Sequence, residues 1–373
     1  MTKRFFLWIF LLGLLGCNAA IPTPSPTATG QIPLSSTLTV ESDGGLHLVV
    51  ALQGQMSVKR QDWSDYAPAL FGTLLRRGDL LRLESGSQAK IACDDWSLAS
   101  VPSGIGGVPC KVAKMPPLVY DGSQVITTRD YAPGEFPIVI SPRKTKLISP
   151  NPTLRWTPVP GVVTYTVSVR GPNLNWSTDV ASKTEVAYPT TAPVLVSGTA
   201  YRVVVCGGSN CSDKENIPDL GFTTLKPDEV QTVREAGNRI RALGLADAPT
   251  RFLISSLYAT QDLHTEAIEQ LEGLTSTLEE PAVLRLLGDL YRTIGLNRLA
   301  EERYLQALGL SQKANDVEGQ ALAQYWLGQI YDALGNKSET IQRLQKAMEL
   351  YQKLGDSKKS KEIQERLTEL QKP

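Results

Sequence analysis

One pattern is written twice between residues 281 and 351, and it constrains the fold more than any other feature of the chain. The first copy runs Leu287-Gly288-Asp289-Leu290-Tyr291 and continues through Gly295, Ala300, Tyr304 and Ala307. The second runs Leu327-Gly328-Gln329-Ile330-Tyr331 and continues through Gly335, Thr340, Leu344 and Ala347. Each copy reads as two short helices, with glycine at the tight turn and small residues where the helices touch. A degenerate copy precedes them, in which Ile254, Tyr258, Ala267 and Leu271 hold the places of Leu287, Tyr291, Ala300 and Tyr304. Tyr258 to Tyr291 spans 33 residues and Gly288 to Gly328 spans 40, the extra residues falling around Ser311–Glu318. Before the copies, Pro227 opens a helix with Val230, Val233, Ile240 and Leu243 on one face, closing at Gly244. After them, Asp356–Leu370 puts Ile363, Leu367 and Leu370 on one face and charges elsewhere, which suits a solubilising cap.

This succession resembles the tetratricopeptide (TPR) repeat, a helical array that binds other proteins on the concave surface formed by the first helix of each repeat. The resemblance implies groove positions at Phe252 and Ser256 in the degenerate copy, at Arg285, Asp289 and Arg292 in the next, and at Tyr325, Gln329 and Asp332 in the last. Arg285 and Arg292 lie two helical turns apart and are expected to project together as a fork for a partner's carboxylate. Trp326 and Leu327 are expected between helices rather than against a ligand.

The amino end explains where such an array would work. Lys3-Arg4 precede an apolar run, Phe5 to Leu15, too short for a bilayer span of ~20 residues but suited to the core of an export signal. It ends Leu14-Leu15-Gly16-Cys17, which resembles the bacterial lipobox. That resemblance implies cleavage after residue 16 and acylation of Cys17, each buried CH₂ contributing ~0.8 kcal/mol to membrane anchoring. Residues 17–37 carry Pro, Thr and Ser with little apolar content and read as an extended tether.

Residues 38–140 have β texture, with candidate strands at Leu46–Ala51, Gln55–Lys59, Asp79–Leu83 and Gln88–Ala92. The order Gly54, Trp63, Gly72, Gly78-Asp79 and Ser87-Gln88-Ala89-Lys90-Ile91 resembles the FecR-like domain, a small β fold. Residues 141–226 form a second β unit, in which Tyr165, Val167 and Val169 share one face of a strand. Its tryptophan strand (Leu154-Arg155-Trp156), Pro/Gly turn (Pro158 to Gly161), Tyr strand and later Gly198-x-x-Tyr201 strand resemble a fibronectin type III or immunoglobulin-like sandwich. The expected architecture is therefore multidomain, all-β followed by all-α, with a TPR α-solenoid from residue 227 to 373.

Five cysteines occur. With Cys17 assigned to the lipid, an oxidising compartment makes Cys93–Cys110 and Cys206–Cys211 the simplest pairing, and two other pairings are formally open. Catalytic and metal chemistry find little support. His47 and His264 are the sole histidines and lie in different segments, and no zinc spacing is present. Ser141-Pro142-Arg143-Lys144 has Ser-x-x-Lys spacing, but Pro142 starts an inter-domain segment and no Lys-Thr-Gly partner follows. Ser103 to Gly107 lacks the ending of a phosphate loop. Asp94-Asp95 and Glu279-Glu280 read as turn and cap residues. Net charge is zero, with 38 basic and 38 acidic residues, which gives no general attraction to nucleic acid.

The sequence thus points to a non-enzymatic envelope scaffold, lipid-anchored and facing the periplasm or exterior, that binds a protein partner through the TPR groove without a cofactor. Two other readings are a peptidoglycan or glycan binder using the β domains, with Trp63, Trp96 and Trp176 as stacking candidates, and an envelope sensor by FecR analogy.

Overall fold

Short alternating runs at the amino end become strands whose inward residues are the apolar ones. The computed structural model describes residues 46–111, 134–215, 217 and 219–372. The expected export signal, Cys17 and the expected tether lie outside these residues.

The first eight strands are β1 (His47–Gln53), β2 (Met56–Lys59), β3 (Ala67–Ala69), β4 (Leu74–Leu75), β5 (Leu80–Leu83), β6 (Gln88–Ala92), β7 (Leu98–Ser100) and β8 (Gly104–Gly107). They form two four-stranded antiparallel sheets, β4-β1-β6-β7 and β3-β2-β5-β8. Alternation decides which side chains enter the core: Met56 and Val58 of β2 and Leu81 and Leu83 of β5 are buried, while Leu80 is exposed. All four expected strands are present. A disulfide between Cys93, just after β6, and Cys110, beyond β8, ties one sheet to the other.

The second β unit contains β9 (Val139–Ser141), β10 (Thr145–Leu147), β11 (Thr153–Trp156), β12 (Thr164–Gly171), β13 (Leu174–Ala181), β14 (Glu185–Ala187), β15 (Ala200–Gly207), β16 (Asn210–Cys211) and β17 (Phe222–Thr224). One sheet follows the path β10-β17-β15-β12-β13 with β16 paired to β15, and the other is β14-β11-β9. Together they sandwich a core in which Tyr165, Val167 and Val169 are all buried, as their spacing predicts. Trp156 meets Tyr165 edge to face at 5.6 Å, and the Tyr201 hydroxyl accepts from the Val196 amide at 2.8 Å. The Cys206–Cys211 disulfide closes the β15–β16 hairpin. Strand β9 crosses the expected boundary at 140/141: it pairs with β11 and buries Val139 in the sandwich core, so the sandwich begins before Ser141.

Eight helices follow: α1 (Pro227–Arg241), α2 (Asp247–Thr260), α3 (His264–Thr275), α4 (Pro281–Thr293), α5 (Asn297–Lys313), α6 (Val317–Ala333), α7 (Lys337–Leu354) and α8 (Ser357–Leu370). Proline occupies the first turn of α1 and α4, where its missing N–H costs no hydrogen bond. Glu280 occupies the N-cap position of α4, with no capping hydrogen bond from its side chain. The helices pair as α2/α3, α4/α5 and α6/α7. Gly288 and Gly328 mark the close approaches: an added Cβ would lie 3.1 Å from Tyr304 at the first and 2.8 Å from Leu344 at the second. Gly295 and Gly335 close the turns of the two strong repeats at φ 77° and 75°. Among the described residues no helix is long and apolar enough to cross a membrane.

The sandwich lies along α3. The Lys146 amide donates to the Asp262 carbonyl at 2.8 Å, the Ile148 amide donates to Glu266 Oε1 at 2.7 Å, and Arg155 pairs with Glu272 at 2.8 Å. Arg143 is buried at a three-way junction, where it forks onto Glu215 at 2.7 and 2.8 Å and donates to the Ile294 carbonyl at 2.7 Å. Within this seam burial pushes the Glu266 carboxyl from 4.5 up to about 7; the Ile148 amide opposes the shift and Glu269 adds to it. Between these values the folded chain holds a proton that the unfolded chain has released. Stability from this group is therefore present at low pH, falls as pH rises from 4.5 towards 7, and is flat above. Glu266→Gln is expected to remove that slope and to stabilise the protein above pH 7 by about 1–3 kcal/mol, read from denaturant midpoints across pH.

Candidate functional site

The first helices of the repeats, α2, α4 and α6, present the face on which a helical array of this kind would meet a ligand. That face is covered by the chain's own amino-terminal β domain. Leu48, Val50 and Ala92 join the core formed by α2 to α6, and a second shared core unites Val58, Leu81 and Ile91 with Ala321, Tyr325, Leu344, Tyr351 and Ile363.

The contact is built from a small number of specific fits. Phe71 packs on Phe252 with ring centroids 5.2 Å apart. Beside it Gly72, at φ 74°, passes so close to α4 that an added Cβ would sit 2.1 Å from the Ala282 Cβ. At the far end Arg60 reaches from β domain to array: Nη1 meets Asp79 at 2.7 Å, Nη2 donates to the Leu74 carbonyl at 3.0 Å, and Nε donates to Glu318 at 2.8 Å. Burial opposes the Arg60 charge, but Glu318 and Asp79 outweigh it and hold the guanidinium above its ordinary pKa. Trp63 lies under Arg60 at 5.2 Å and its Nε1 donates to Asp356 at 3.4 Å, while the Ser64 amide donates to the Leu354 carbonyl at 3.3 Å.

Of the residues expected to line an open groove, four are buried and four, Arg285, Asp289, Gln329 and Asp332, are half-buried. Phe252, Ser256, Arg292 and Tyr325 are buried. Arg285 and Arg292 do not form a fork: Arg285 faces Asp316 at 3.7 Å, whereas Arg292 reaches Asp289 at 3.4 Å and lies 3.9 Å over the Trp326 ring. Asp289 also accepts from the Tyr304 hydroxyl. Tyr325 donates to Glu362 at 3.4 Å beneath the Lys359 ammonium, Asp332 pairs with Arg366 at 2.6 Å, and Gln329 is half-buried. A gap of about 50 Å³ lies between Leu48, Gly72 and Leu74 on one side and α2 and α4 on the other. Leu327 packs fully between helices as expected, with Trp326 beside it.

Other candidates are resolved by geometry. Ser141 lies on β9 and donates to the Thr153 carbonyl at 3.3 Å, so Ser141 and Lys144 are not placed one helical turn apart as base-assisted attack requires. His47, Cys93 and Cys110 bring possible metal-ligating atoms within 4.8 Å of one another, but both sulfurs are joined in the disulfide and neither is a thiolate. Trp63 is buried, Trp96 packs under Arg239 at 5.9 Å, and Trp176 meets Tyr188 at 4.9 Å, so the three do not make one exposed stacking face.

Residues 321–352, within α6 and α7, match the tetratricopeptide repeat family. The helical part is a TPR-like α-solenoid. Solved structures that resemble it include MamA at 20% identity (TM-score 0.28, 38% of this chain and 82% of that one) and BtubC from P. vanneervenii at 18% (0.25, 38% and 72%). A third is YrrB, described as a TPR protein with an unusual peptide-binding site, at 18% (0.24, 39% and 80%). No curated protein matches the sequence.

The TPR pattern located the array's face but not its occupant, because Phe71, Gly72 and Arg60 are separated from their helical contacts by more than 180 residues. If Gly72 is the point of closest approach, Gly72→Val should destabilise the protein by about 1–3 kcal/mol, with hydrogen exchange increased on α2 and α4. Ala282→Gly in the same chain should restore part of the loss, because it removes the carbon that the new side chain meets.

Proposed function

We propose that the chain is a lipid-anchored cell-envelope scaffold that presents β domain, sandwich and TPR array to a protein partner as one pre-assembled body. The observation that carries this reading is the filled groove: the surface with which a TPR array would capture a segment holds a folded part of the same chain. Such packing fixes the orientation of the β domain and leaves the scaffold's outer faces to meet other molecules. The anchor is supported by Lys3-Arg4, the short apolar run and Leu14-Leu15-Gly16-Cys17, and an oxidising compartment by the disulfides. The FecR-like resemblance of the β domain adds a fold analogy.

Two arms test the proposal in one preparation of envelopes. Cys17→Ser should move the protein out of the membrane fraction, and its retention there would refute the lipid anchor. Affinity capture after detergent solubilisation would then compare the native chain with Gly72→Val. A protein captured by the native chain and reduced with Gly72→Val is the expected result. Capture by Gly72→Val alone would mean that the groove is the partner's site and the β domain its cover, contrary to the proposal.

A further inference from the structure

A cavity lies away from the TPR groove, where the outer face of the sandwich meets the turn between α2 and α3. It measures about 570 Å³, within the range of small-ligand sites. Strand register decides its charge. β12 and β15 run antiparallel with Arg170 directly opposite Arg202, and both line the cavity. Like charges placed opposite one another across a sheet repel. Among the described residues, neither guanidinium has a hydrogen-bonding or ion-pair partner on its side chain.

The neighbouring charges do not compensate them. Asp262 is paired with Lys146 at 3.0 Å. Lys144 also lines the cavity; burial lowers the pKa of its ammonium, and Asp219 and Asp262 act against that shift. Asp262 is thus engaged by Lys146, Asp219 acts on Lys144 through space, and the Arg170 and Arg202 guanidinium groups are left facing the same space. The remaining wall is fixed in place. His264 Nδ1 bonds the Lys144 carbonyl at 2.7 Å, and Leu220 and Phe222 supply buried apolar surface.

We infer that this cavity binds a small ligand through an oxyanion, a carboxylate or a phosphate, bridged by the Arg170 and Arg202 guanidinium groups. A guanidinium offers paired donors matched to the two oxygens of either group, and a bound anion relieves the repulsion that the strand register imposes. The site is independent of the groove and of any protein partner.

The test is calorimetric titration of the full chain in low salt with inorganic phosphate, glycerol phosphate and succinate. Saturable binding of at least one is expected, and the preference among them tells a phosphate source from a carboxylate source. Arg170→Gln and Arg202→Gln should each weaken binding by about tenfold or more, and the double variant should abolish it. Without ligand, the variants should melt at the native temperature or above, since a like-charge pair has been removed. Absence of saturable binding to all three probes would overturn the proposal. So would equal binding by the double variant, or a lower melting temperature on removal of either charge, which would make the arginines supports of the fold.

Discussion

Arg60 is the point on which the arrangement of the amino-terminal half depends. It belongs to the β domain, yet its guanidinium is shared between Asp79 of that domain and Glu318 at the start of α6. An arginine removed from water in this way is tolerable only while both acids and the Leu74 carbonyl remain in place. The ion pair therefore specifies one docked geometry, and the apolar contacts around it supply the driving force: Phe71 on Phe252, Leu48 and Val50 against the helices, and Val58 and Leu81 in a core shared with Tyr351. The array is consequently less an open adaptor than one wall of a composite body.

A second junction repeats the device for the sandwich. Arg143 binds Glu215 through two parallel hydrogen bonds and the Ile294 carbonyl through a third, joining the sandwich, the loop before β17 and the end of α4. Glu266 contributes differently. One of its oxygens accepts from the Ile148 amide while the other is buried without a hydrogen bond, and burial raises its pKa from 4.5 to about 7. The two seams together place β domain and sandwich against successive parts of the same helical array.

Much of this was legible locally. The repeats at Gly288 and Gly328, the inward faces of Tyr165, Val167 and Val169, and both cysteine pairs follow from spacing and chemistry that act within a few tens of residues. The groove positions were legible as positions on a helix face but not as to their partner. Nothing near Phe252 or Arg285 in the sequence indicates that Phe71 and Gly72 will lie over α2 and α4. Periodicity reports that a face is apolar or crowded, and it is silent on whether a foreign segment or a distant part of the same chain covers it. The Arg170–Arg202 apposition escaped for the same reason, since the pairing of β12 with β15 joins residues 32 apart. The early start of the sandwich at β9 likewise depended on pairing with β11.

The account rests on the β domain being seated in the array, and a double-mutant cycle between Arg60 and Glu318 measures that contact most directly. Arg60→Ala, Glu318→Ala and the double variant would be unfolded in urea and their stabilities compared. Seating of the β domain in the groove gives a coupling energy of about 0.5–3 kcal/mol, the range for residues in direct contact. Effects that add to within about 0.3–0.5 kcal/mol would mean that the two residues do not meet, and that the groove is open.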